Sequence, residues 1–152
     1  MTTSFMGELL TATHNFGTAP IRAASTADTF RAALYLVSAT VNAATTVYTT
    51  SGEVTGAGYS AGGIVVTNAT PPTATNASAT AGVAFFTPSA SLTYTSVTLT
   101  TAFDAVLIYN ASQSNKAVSV HTFGSQTITA GTFTLTMPAN TTTTALLRLA
   151  TT

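Results

Sequence analysis

The sequence predicts an all-β protein: a two-sheet sandwich, jelly-roll-like, with an N-terminal arm. Three observations predict it. From residue 30 onward, short runs rich in Val, Ile, Thr, Tyr and Phe follow one another. These about eight or nine runs recur every 8–15 residues or so, with Gly-, Pro- or Asn-containing turn signals between them. The chain has 152 residues, which suits one domain with its own core. Eight strands in two packed sheets make the jelly roll the preferred member of the class.

The elements follow in order. Residues 1–29 read as the arm and residues 30–152 as the sandwich domain. In the arm, Phe5, Met6, Leu9 and Leu10 fall on one face of a short helix that Gly7 weakens. Residues 11–20 read as extended or turning, and a first strand plus loop is an equal reading of the whole segment. Residues 30–37 are mostly apolar and suit a buried strand; residues 45–50 are β-branched around Tyr48.

Five glycines then fall between residues 52 and 63, supplying tight turns and close backbone approaches. Residues 64–67 form a short strand. Residues 68–78, with Pro71 and Pro72, read as an exposed connection outside any sheet.

Residues 79–86 are the next strand. In residues 91–101, Leu92 and Tyr94 share one face while Val97 and Leu99 have the opposite parity. A bulge near Thr95 and Ser96 restores the facing. Residues 103–109 are almost continuously apolar, as in a strand covered on both faces. Residues 116–123 alternate. Residues 127–129 and 132–137 flank Ala130-Gly131, which reads as a hairpin turn. Residues 144–150 close the chain.

Composition narrows the function. Only 5% of residues are charged, against about 25% in an ordinary domain, while roughly a quarter are Thr. The chain has no Cys, so disulfides and thiolate metal sites are excluded. The four Lys and Arg are scattered, which argues against nucleic acid and anionic membranes as partners. No apolar run approaches the roughly 20 residues that span a bilayer.

For catalysis, only His14 and His121 are neutral-pH bases. A Ser–His–Asp set from Ser119, His121 and Asp104 has no nucleophile elbow with it. A strand histidine bonded to a neighbour is the preferred reading. No acids or histidines fall at metal-ligand spacing, and the glycine cluster lacks the Lys of a P-loop. The expectation is a protein that is not an enzyme and has no cofactor.

The low charge has a second side. Natural β proteins guard their edge strands with charge, especially Lys, and this chain has one Lys. Near-zero net charge favours association. The composition therefore points to a chain whose surface is covered in an assembly.

Several segments resemble a group of small tailed-bacteriophage virion proteins. They are residues 28–35 (Asp-Thr-Phe-Arg-Ala-Ala-Leu-Tyr), Tyr48, the glycine-rich residues 52–63, residues 105–110 and residues 130–133. The resemblance implies a structural component of the virion without activity. The first expectation is a capsid decoration or cement protein on the outer face of the shell. Its partners would be the major capsid protein and neighbouring copies of itself. Candidate assembly contacts are Phe5, Leu9, Leu10 and Phe16 in the arm, and Glu53, Gly56, Gly58 and Tyr59 in the glycine-rich segment. The alternative is a tail or fibre component that binds a host glycan, for which Tyr48, Tyr59, Tyr94 and Tyr109 are the available aromatics.

Overall fold

A computed structural model describes residues 2, 5, 13–14, 16, 27–68, 72–75 and 82–150. Among them Phe5 is helical, and every element with bounds is a strand. The chain is all-β with two antiparallel sheets, as the run spacing predicts. Seven strands occur among the described residues: β1 (Phe30–Leu36), β2 (Ile64–Val65), β3 (Thr73–Thr75), β4 (Val83–Phe86), β5 (Leu92–Asn110), β6 (Lys116–Leu135) and β7 (Leu147–Ala150).

The chain forms two compact units. The first holds Asp28–Val66 and Leu92–Leu135, together with Thr2, Phe5, Thr13 and His14. Its sheet has the order β2-β1-β5-β6. The second holds the sheet β3-β4-β7, in which β4 is central. There Phe16 and Phe86 are buried with their rings 5.1 Å apart.

β1 sits inside its sheet and is buried on both faces. Ala32 and Leu34 point one way, Ala33 and Tyr35 the other, and all four are fully buried. β5 reads the same way from Ala105 to Tyr109, where every side chain is buried. Fully burying a Leu or Phe side chain of this kind stabilises by about 1.5–3 kcal/mol. Ala33, Tyr35, Ala105, Leu107, Tyr109 and Ala117 form one continuous cluster on one face.

β5 does not run straight. Ala32 pairs with Ile108, yet the Tyr94 hydroxyl also donates to the Ala32 carbonyl at 2.9 Å. The fourteen residue steps from Tyr94 to Ile108 would span about 46 Å in a straight strand, beyond any side chain's reach. The strand therefore bends back over its own sheet. The bends coincide with breaks in register between Tyr94 and Val97 and between Leu99 and Phe103. Ser96 at the first of them has a left-handed φ of 53°. The parity argument is met: Leu92, Tyr94, Val97 and Leu99 are all buried.

Three local readings need correction. No turn interrupts β6 at Ala130-Gly131. Ala130 takes φ 46° inside a continuous strand, and the register against β5 shifts there, so a bulge absorbs the irregularity. Within residues 68–78, Thr73–Thr75 does enter a sheet: it follows the prolines and pairs as an edge strand with β4. Residues 45–50 make only an isolated bridge from Val47 to Lys116.

Candidate functional site

The glycine-rich segment runs along the edge of β1 and then crosses to β5. Leu36 N–H donates to Gly52 O at 2.9 Å and Val54 N–H to Leu34 O at 3.0 Å, which brackets a bridge between Tyr35 and Glu53. The chain then swings out, and Thr98 N–H donates to Ala57 O at 2.9 Å. It returns to pair Ile64 and Val65 with Ala32 and Arg31. The small residues allow this close passage. A Cβ on Gly56 would collide with the Thr98 carbonyl. Gly58 has φ 77° against the Ser96 carbonyl, a conformation and a contact that only glycine accepts.

Glu53 is the centre of this segment. Its side chain is only 6% exposed. Oε1 accepts from the Tyr59 hydroxyl at 2.7 Å and from Gly62 N–H at 2.8 Å. Oε2 accepts from the Tyr48 hydroxyl at 2.6 Å. A buried carboxylate needs such donors, because desolvation otherwise removes its charge.

Arg31 grips the same turn from the other side. Its Nε donates to Gly62 O at 3.1 Å and its Nη2 to Gly63 O at 2.5 Å. The Tyr109 hydroxyl also donates to Gly62 O, at 2.9 Å. The carboxylate thus holds the N–H of Gly62 and the guanidinium holds its C=O.

All five tyrosines of the chain serve this arrangement or the strands beneath it. Tyr48 stacks on Tyr109 with centroids 4.5 Å apart, and Tyr59 stacks on Tyr94 at 5.9 Å. Leu34 N–H donates to the Tyr59 oxygen at 3.0 Å, and Tyr35 donates to Thr49 O at 2.5 Å. Burial pushes the Tyr35 phenol up to about 12, against the Thr49 hydrogen bond that lowers it. Burial also raises Tyr48, Tyr59 and Tyr94, with the Glu53 charge adding to each. Tyr109 is raised by burial as well, offset in part by the Arg31 guanidinium. All five phenols therefore stay protonated at neutral pH.

Of the candidate contacts, Glu53 and Tyr59 meet directly, and Gly56 and Gly58 lie against β5 within the same unit. Phe5 is 1% exposed and packs its ring 4.8 Å from His14. Phe16 is buried in the second unit. Leu9 and Leu10 lie outside the described residues. Sequence reasoning missed Arg31 and the convergence of the tyrosines. The one usable signal was an acid inside the glycine run, flanked by Tyr48 and Tyr59.

His121 bonds a strand neighbour, with Nε2 2.9 Å from Ser119 Oγ. Ser119 is fully buried, so its hydroxyl meets no substrate carbonyl. Burial lowers the His121 pKa. No group of three potential metal-ligating side chains occurs among the described residues.

A shallow pocket of about 250 Å³ opens beside the loop, lined by Arg31, Tyr59, Ser60, Thr93 and Thr95 among others. Its guanidinium is already engaged with two carbonyls. No family model, curated protein or solved structure matches this chain.

Proposed function

We propose that this chain is a structural protein of a tailed-bacteriophage virion, a decoration or cement protein that binds the outer face of the capsid shell. One observation carries the reading. The far half of the β5–β6 hairpin, residues 92–103 and 122–135, has no charged side chain. It exposes Thr93, Thr95, Thr100, Thr127, Thr132 and Thr134. Interface cores are depleted in charge, and a charge-free surface packs against a partner without desolvating an ion.

The clamp deepens the scarcity. Glu53 and Arg31 spend their charges on Gly62 and not on the surface. The resemblance to virion proteins supplies the setting, with the major capsid protein and further copies as partners. Weak contacts repeated over many copies add through effective concentration.

Cryo-electron microscopy of virions tests the proposal. Density for this chain on the outer capsid face is expected. Density confined to the tail removes the capsid reading and turns attention to a tail or fibre component.

A further inference from the structure

We infer that the shallow pocket beside the glycine-rich turn binds an acidic sugar, a carboxylate carried on a ring of hydroxyls. Arg31 leaves part of its bonding capacity unused. A guanidinium carries five N–H donors, set along two open edges. Nε and Nη2 share one edge, and that edge is spent on Gly62 O at 3.1 Å and Gly63 O at 2.5 Å. The other edge, the fork between Nη1 and Nη2, bonds nothing among the described residues. Such a fork matches the two oxygens of a carboxylate.

Arg31 is also a charge without a counter-ion. No carboxylate pairs with it among the described residues. Glu53, on the other side of Gly62, has both oxygens occupied by Tyr48, Tyr59 and the Gly62 N–H. Arg31 is half-buried and lines the pocket. The two carbonyls already hold the side chain, so a ligand meets a fixed fork and little rotamer freedom is lost on binding.

Hydroxyls surround that fork. Ser60, Thr93 and Thr95 line the same pocket and are exposed. Thr93 and Thr95 are two apart on β5 and share a face. Thr93 Oγ1 accepts from the Thr134 hydroxyl at 3.4 Å and keeps its own proton to donate. The hydroxyls of Ser60 and Thr95 have no bond among the described residues. Each hydroxyl both donates and accepts, as each hydroxyl of a sugar does. The pocket holds about 250 Å³, below the roughly 300–1,000 Å³ of sites that bury a drug-sized molecule, so it suits a single ring. No acid lines it to repel the ligand, and one cation balances one carboxylate but only half of a phosphate dianion.

The site is read on the purified chain, whereas the virion reading is decided on particles, so either can fail alone. The test titrates glucuronate into the isotope-labelled chain and follows the amide NMR shifts. Saturable shifts are expected at residues 58–63 and 93–95. Glucose, which lacks the carboxylate, and acetate, which lacks the ring hydroxyls, are each expected to bind at least about tenfold more weakly. The Thr93→Val, Thr95→Val double variant, altered only at exposed positions, is expected to bind glucuronate about tenfold more weakly. Arg31→Lys keeps the charge and loses the fork, and is expected to lose binding; the threonine variant carries the test if that chain does not fold. No saturable shift with glucuronate, shifts lying outside the pocket, acetate or inorganic phosphate binding as tightly as glucuronate, or undiminished binding by the threonine variant overturns the assignment.

Discussion

Three donors converge on the Glu53 carboxylate: two half-buried phenols and the buried Gly62 N–H. Glu53→Ala leaves two phenols and one amide without their acceptor, at a cost of about 3 kcal/mol. Urea unfolding measures it, and Glu53→Gln, which keeps an amide oxygen, is expected to lose less. The tyrosines make a second prediction. All five hold their protons more tightly in the folded chain, since their pKa values are raised. Their contribution is complete below the unfolded phenol value of about 10 and is lost as pH rises through the folded values, Tyr35 at about 12 being one. Alkaline titration at 295 nm is expected to show no early phenolate. The signal should rise cooperatively, together with loss of the far-UV circular dichroism.

At the scale of elements, backbone geometry separates positions that look alike in sequence. Gly63 has φ 68°, and a Cβ there would collide with the Ala32 carbonyl, whereas Gly124 has open space around it. Gly63→Ala is expected to destabilise by more than about 2 kcal/mol and Gly124→Ala by less than about 0.5 kcal/mol, compared in denaturant. Ser96 has φ 53° without being glycine. Ser96→Gly relieves that strain and is expected to be neutral or to stabilise by about 1 kcal/mol in the same measurement.

These positions also show what the sequence makes readable. The bulge at Ser96 was legible because Leu92 and Tyr94 disagree in parity with Val97 and Leu99, and one buried face tolerates no such disagreement. β1 was legible from its mostly apolar run, which only Arg31 interrupts. The bulge at Ala130 was not, because Ala-Gly suits a turn and a bulge equally, and only the distant partner strand decides between them. β3 was hidden by the prolines before it, which bar a central strand but not an edge. The Glu53 clamp depends on Arg31 and Tyr109, whose approach is set by strand pairing and not by spacing.

At the scale of a whole unit, the sheet β2-β1-β5-β6 has its edges guarded by covering and by irregularity in place of charge. Residues 52–57 lie along β1 and β5, and Thr46, Tyr48 and Thr2 bond the start of β6 or the turn before it. Further along, register shifts interrupt the β5–β6 ladder. The tyrosines allow one test at this scale. All five belong to the first unit, and the chain has no Trp. Removing residues 136–152 deletes β7 and with it the pairing to β4. The near-UV circular dichroism of tyrosine is expected to persist in that truncated chain, since the sheet β2-β1-β5-β6 is untouched.

The order β2-β1-β5-β6 also sets a timetable for synthesis. β1 emerges from the ribosome long before β5, its central partner, with about fifty-five residues between them. At roughly 5–20 residues per second, that is a wait of several seconds for one of the most apolar segments in the chain. Thr2 waits longer still, for Val118. A segment made early is thus among the last to find its partner strand, and it stays uncovered through that interval.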